Sequence, residues 1–152
     1  MSDDLNLEKD LYRLRIKSMI NNIGSWGFEK FLKKCLEFYP EISHYDLFIN
    51  QIVGSMLAIE YGVKEKDNEL LKYTDILILK LESEQNDEEN ISLGKLFAKL
   101  LRKARALCEA GMLVSKIMFT FEFTDFSAAF KEKVANIENE HVFSKTNYYS
   151  NN

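Results

Sequence analysis

The spacing of apolar side chains predicts a chain built almost wholly from helices. Two segments place apolar residues at the three- and four-residue intervals by which one face of a helix packs on a core. The first contains Phe28, Phe31, Leu32, Cys35, Leu36 and Tyr39, and the second contains Leu93, Leu96, Phe97, Leu100, Leu101, Ala104, Leu107 and Cys108. Pro40 is placed to end the first helix, and Gly111 interrupts the pattern of the second.

Three further helices follow from the same spacing and from residues that favour helix ends. The first covers about residues 4–22, with Gly24 placed to end it, and Ser25 can then cap the helix that contains Phe28. Ser43 and Asp67 each precede another apolar pattern as a capping residue, and Ser92 lies near the cap position of the helix that contains Leu93. The three stripes are Leu7, Leu11, Leu14 and Ser18 joined by Met19; Tyr45, Ile49, Ile52, Val53, Met56 and Ile59; and Leu70, Leu71, Thr74, Leu77, Ile78 and Leu81.

Residues 116–124 fit two structures. Ile117, Phe119, Phe121 and Phe123 alternate with less apolar side chains, which is typical of a strand. Phe119 and Phe123 also begin a helical stripe that continues to residue 137. We therefore expect an all-α, compact bundle of about six amphipathic helices over residues 1–139, followed by a mobile tail at 140–152. The alternative is an α+β fold with a strand–helix–strand unit at 74–124.

Composition is typical of one soluble globular domain. The chain has 152 residues, 46% of them apolar, and a net charge of −4, which argues against a free-standing binder of duplex DNA. The longest uncharged stretch, 47–59, is shorter than the ~18 residues that span a bilayer. The first ten residues contain no apolar leader, and both cysteines lie in apolar helical patterns as expected for reduced thiols. These features predict a cytoplasmic protein that does not enter a membrane.

Motifs for the common reactions are missing from the sequence. It contains no glycine-rich phosphate loop, no nucleophile elbow and no paired cysteines at zinc-ligand spacing. Glu41–His44 and Glu138–His141 have the spacing of ligands in di-iron bundles, with Glu8 and Glu69 as conceivable further ligands. Because Glu41 directly follows Pro40, it falls outside the helix interior that such ligands require. We expect no enzyme activity, no catalytic residue, no metal and no cofactor; a di-metal oxidoreductase is the least favoured alternative.

A basic face lies opposite the apolar stripe of the predicted helix that contains Leu93 and Cys108, the fifth along the chain. Between residues 93 and 116 there are six basic side chains and one acidic one. The face is formed by Lys95, Lys99, Arg102, Lys103 and Arg105. It can be an ordinary solvated surface, or it can bind an acidic partner or a nucleic-acid backbone, since clustered cations follow phosphates without recognising sequence.

Aromatic residues are numerous, with eleven Phe and seven Tyr. Phe121, Met118, Phe48 and Leu47 fall outside the inward stripes, which predicts an exposed patch for binding a partner unless the third helix is central and buried on all sides. The function predicted from these features is protein–protein interaction, as an adaptor, an inhibitor of the immunity type or an assembly subunit, with another protein or with itself as a homo-oligomer. The alternative is an accessory subunit that binds a nucleic-acid backbone through the basic face.

Overall fold

The described part of the chain consists of six helices. A computed structural model describes residues 2–84 and 92–124, and the side chains of 7–43, 45–84 and 92–121. The helices are α1 (Ser2–Trp26), α2 (Phe28–Phe38), α3 (His44–Lys64), α4 (Asn68–Glu82), α5 (Leu93–Glu109) and α6 (Val114–Thr124). The all-α prediction is confirmed. The strand–helix–strand alternative is wrong, because residues 76–81 lie inside α4 and residues 116–124 lie inside α6.

Helix α3 lies at the centre of the bundle and contacts each of the other five helices. Its residues 47–59 carry no charge, so they can be covered from several directions without burying an unpaired ion. Phe48, Ile52 and Met56 are fully buried, and Leu57 is the one large apolar side chain of α3 that the structure exposes. The remaining helices are therefore arranged as a cover for α3.

The prediction that four apolar residues form an exposed patch for a partner is wrong. Phe121, Phe48 and Leu47 are buried, and Met118 is partly buried against the same core. The reason is that α3 is covered on several sides and that α6 packs on α3 and α5, with Ile117 and Phe121 among its buried residues. Among the described side chains of α6, Phe119 is exposed, although the sequence pattern had placed it on the inward stripe.

Three phenylalanines from three helices form the centre of the core. Phe28 of α2 lies with its ring centroid 5.5 Å from that of Phe48 in α3 and 4.9 Å from that of Phe97 in α5. The Phe48 and Phe97 rings are 5.8 Å apart and meet edge to face. All three side chains are fully buried, so this cluster joins α2, α3 and α5 where their apolar faces meet.

We expect Phe48→Ala to lower the free energy of unfolding by about 3–5 kcal/mol, because it removes a buried ring and leaves a cavity. Urea unfolding followed by circular dichroism measures the change. Phe119→Ala is the matched control, since the Phe119 side chain is 62% exposed, and it should change the same quantity by less than about 0.5 kcal/mol. Equal effects of the two substitutions would contradict the burial of Phe48.

The N-terminal caps of α3, α4 and α5 are those predicted from the sequence, and the cap of α2 is not. Side-chain oxygens of Ser43, Asp67 and Ser92 accept the backbone N–H groups three residues onward, as predicted. The start of α2 differs, because α1 runs through Gly24 and Ser25 and ends at Trp26. Gly27 then turns the chain with a φ of 80°, a conformation that glycine adopts without strain.

Glu84 supplies the acceptor that the start of α2 lacks. The backbone N–H of Phe28 donates to Glu84 Oε1 at 2.6 Å. The same carboxylate accepts hydrogen bonds from the Ser92 side chain and from the backbone of Gly94, at the start of α5. Burial raises the pKa of Glu84, although these hydrogen bonds act in the opposite direction. The run from Glu82 to Asn90 has five acidic residues and no basic one, which predicts a solvated loop. That prediction is wrong at Glu84, which is half-buried, whereas 85–91 lie outside the described residues.

Glycine at position 94 leaves room for this carboxylate. A Cβ atom at Gly94 would lie 2.1 Å from Glu84 Oε2. A side chain there would therefore displace the carboxylate from the hydrogen-bond donors of α2 and α5. The beginnings of two helices thus depend on one acid and one glycine.

We expect Gly94→Ala to destabilise the protein by about 1–2 kcal/mol through loss of these hydrogen bonds, although alanine is normally the better helix former. In a Glu84→Ala background the same substitution should be neutral or stabilising by up to about 1 kcal/mol. Urea unfolding of the wild type, the two single variants and the double variant measures this coupling. Additive effects would show that Gly94 and Glu84 act independently.

Candidate functional site

Helix α1 carries two apolar faces, and one of them packs on nothing in the described structure. Ile16, Met19 and Ile23 are buried where α1 contacts α2, α3 and α4. On the opposite side Leu7, Leu11 and Leu14 are 60%, 57% and 65% exposed. We call these three residues the leucine face. Of the stripe predicted from the sequence, Met19 alone is buried.

An ion pair at the junction with α4 fixes which face of α1 points inward. Arg13 Nη2 lies 2.7 Å from Asp67 Oδ1, and Arg13 Nη1 lies 2.9 Å from Glu69 Oε2. Asp67 also accepts the backbone N–H of Leu70 as the cap of α4, and its side chain is only 7% exposed. The pair therefore attaches α1 to the start of α4.

The ion pair with Arg13 lowers the pKa of Asp67. Burial acts to raise it, but the hydrogen bonds from Arg13 and from the Leu70 N–H outweigh burial, so the pKa of Asp67 lies below its ordinary value. The hydrogen bond to Asp67 likewise raises the pKa of Arg13. Both side chains therefore stay charged at neutral pH.

Further contacts hold α1 along its length. The Tyr12 ring lies 5.1 Å from the ring of Tyr61 in α3, and Lys17 Nζ lies 4.7 Å from the ring of Tyr73 in α4. Arg15 lies over Gly54 of α3, where an added Cβ would meet its guanidinium at 2.1 Å. Since these contacts lie on both sides of the buried face, they direct the leucine face away from the bundle.

The basic face of α5 is partly neutralised within the chain. Arg102 pairs with Glu82 of α4, and Arg105 pairs with Glu109 at 2.7 Å and with Asp75 at 3.2 Å. Of the other predicted members, Lys95 is half-buried, Lys99 is exposed, and Lys103 is exposed with its Nζ 5.5 Å from the ring of Phe121. The two arginines therefore link α5 to α4, and the cationic surface is smaller than the sequence suggests.

The sequence offers two cysteines and two Glu-x-x-His pairs as candidate nucleophiles or metal ligands. Within the described residues no group of three or more His, Cys, Asp or Glu side chains could hold a metal ion. Burial raises the pKa of the Cys108 thiol to about 11 and also raises that of Cys35, so both thiols are protonated at neutral pH. The side chain of His44 and the whole Glu138–His141 pair lie outside the described part of the chain. An open depression at the α5–α6 turn is lined by Ala110, Gly111, Met112, Leu113, Ser115 and Lys116, a set without an acid or a histidine.

One property of the helices and three comparisons with known proteins complete the description of the site. Among the described helices, none has the length and apolar content needed to cross a membrane. Comparison of the chain with models of protein families, with curated proteins and with solved structures gives no match. Inference about function therefore depends on the surfaces described above.

We expect Arg13→Met to lower the free energy of unfolding at pH 7 by about 2–4 kcal/mol, because it leaves the nearly buried Asp67 carboxylate without its cation. Asp67 has a lowered pKa in the folded protein, so the stability that the pair supplies is present above the unfolded pKa of about 3.9 and is lost as pH falls through the folded value. The difference between wild type and variant should therefore shrink below about pH 4.

Urea unfolding at several pH values between 7 and 3 measures this difference. Lys72→Met is the control, since Lys72 is an exposed cation on α4, the helix that Asp67 caps, and its effect should be small at every pH. A difference for Arg13→Met that is constant with pH would contradict the role given to the ion pair.

Proposed function

We propose that this protein acts by protein–protein association without catalysis of its own, and that the leucine face of α1 is its contact surface. The observation that carries the proposal is the row of three leucines, each more than half exposed, on a helix whose other face is firmly packed. Contiguous apolar patches on a soluble chain mark interaction sites, whereas single exposed apolar residues need no explanation.

Burial of this row would contribute usefully to binding. Covering a leucine that is about 60% exposed is worth about 1–2 kcal/mol before the costs of association. Because Arg13, Tyr12 and Lys17 already hold α1 against its neighbours, little ordering entropy is lost when a partner binds. A preorganised helix of this kind suits a partner that presents its own apolar helix.

The nucleic-acid alternative has weaker support. Phosphate binding needs cations that are not already paired, and Arg102 and Arg105 both form ion pairs within the chain. Phe97, the aromatic ring within the basic helix, is fully buried and cannot stack on a base. We therefore place nucleic-acid binding among the outcomes of the test.

We expect Leu11→Asp to abolish association of the tagged protein with its partner in extracts of the native host, because it places a charge at the centre of the leucine face. Leu79→Asp is the matched control. Leu79 is 59% exposed on α4, so the same substitution there carries the same helix-propensity cost and alters a different surface. Retention by the three proteins is compared by quantitative mass spectrometry with and without nuclease treatment, after circular dichroism shows that each is folded.

Loss of association for Leu11→Asp alone supports the leucine face as the contact. Association that survives in Leu11→Asp, or that is lost equally in both variants, contradicts it. If the retained proteins are lost after nuclease treatment, nucleic-acid binding through the basic face of α5 becomes the better explanation.

A further inference from the structure

We propose that the leucine face binds a second copy of this chain, with the two α1 helices antiparallel. This inference rests on the proposed function, because it names the occupant of the same surface. It is carried by the charges beside the leucines, which complement themselves when α1 is turned end for end.

The leucine face has the spacing of a coiled-coil seam. Leu7, Leu11, Leu14 and Ser18 are separated by four, three and four residues, the alternation that keeps side chains on the line where two helices meet. In an antiparallel pair centred between Leu11 and Leu14, Leu11 faces Leu14 of the second copy. Leu7 then faces Ser18 of the second copy, which gives the seam a leucine centre with a small side chain at each end.

The flanking charges select the antiparallel arrangement. Glu8 and Arg15 lie on one side of the seam, and Asp10 and Lys17 lie on the other. Turned end for end about the same centre, Glu8 lies beside Arg15 of the second copy and Asp10 beside Lys17 of the second copy. Two-fold symmetry repeats both pairs, so four opposite-charge pairs flank the seam. A parallel pair would bring only Asp10 beside Arg15 of the second copy, which makes two opposite-charge pairs instead of four and leaves Glu8 and Lys17 without a partner.

These four charges are available for such pairing. All four residues are exposed, and in the described part of the chain none of them takes part in an ion pair. Arg15 donates to the neutral carbonyl of Asn50 at 3.4 Å, and Glu8 accepts from the Tyr12 hydroxyl at 3.4 Å. Lys17 faces the ring of Tyr73. The contacts of Glu8, Arg15 and Lys17 are therefore with uncharged groups and do not replace an ion pair with a second copy.

The contact is short, so the dimer dissociates on dilution. The seam from Leu7 to Ser18 covers about 17 Å of helix, and a contact of that length falls at the small end of interface sizes, below about 1,200 Å². We expect monomers at about 1 μM and mostly dimers at about 500 μM, the range in which weak complexes are resolved.

Charge reversal provides the main test. Glu8→Lys/Asp10→Lys makes all four flanking positions basic, and Arg15→Glu/Lys17→Glu makes them all acidic. Each variant alone should stay monomeric in sedimentation equilibrium at about 500 μM, whereas an equimolar mixture should restore a dimer of mixed composition. Lys72→Glu/Lys99→Glu is the control, since it changes the net charge as much as the acidic variant does, at exposed positions on α4 and α5, and it should dimerise like the wild type.

Cysteine cross-linking tests the direction. A mixture of Leu7→Cys and Ser18→Cys should form a disulfide between the two variants on mild oxidation, whereas Leu7→Cys alone should not cross-link to itself. The wild type controls for Cys35 and Cys108, which are half-buried and buried. Self-linking of Leu7→Cys would show a parallel pair and overturn the proposed arrangement.

The result for the second copy is separable from the result for the proposed function. A wild type that is monomeric at about 500 μM, or a Leu11→Asp variant that still dimerises, overturns the second copy as occupant. In the first case, host-protein binding that Leu11→Asp abolishes and Leu79→Asp keeps would leave the leucine face as a contact for a different chain. If the wild type neither dimerises nor binds a host protein in a way that depends on Leu11, the leucine face has no role in association.

Discussion

The cover that α3 requires determines the arrangement of the rest of the bundle. Its uncharged residues 47–59 would expose a large apolar area if the helix stood at the edge, so burial from several directions is the favourable solution. The other five helices all contact it, and the rings of Phe28 and Phe97 meet Phe48 from α2 and α5. Phe48 and Phe121, which the sequence pattern placed outside the inward stripes, are both buried in this arrangement.

The same constraint explains why α1 is left with an unused face. A helix that covers one side of α3 and also touches α4 needs only one apolar face for both contacts. Ile16, Met19 and Ile23 provide it. Arg13 then fixes the rotation of α1, because turning the helix to bury Leu11 would withdraw the guanidinium from the nearly buried Asp67. The leucines are thus held outward by an interaction on the opposite side of the helix.

How far the sequence predicts the structure depends on the range of the interaction. The helices and the caps at Ser43, Asp67 and Ser92 follow from residues within three or four positions, and the structure confirms them. Glu84 could not be assigned in this way, because its donor Phe28 lies 56 residues earlier. The choice between the two apolar faces of α1 depended on Asp67 and was equally out of reach. The leucine face could still have been noticed, since at about 3.6 residues per turn the leucines fall on the opposite side of the helix from Ile16, Met19 and Ile23.

The leucine face and the basic face differ in whether their charges already form ion pairs within the chain. Asp75 and Glu82 of α4 and Glu109 of α5 already pair with the arginines of the basic face, so a ligand would compete with existing ion pairs. Around the leucine face the acidic residues precede the basic ones along a single helix, and two charges of opposite sign seven residues apart are too distant to pair with each other. Only a second helix running the other way brings each into reach of its opposite. Opposite-charge pairs that these residues cannot form within one chain can therefore form between two antiparallel copies of α1.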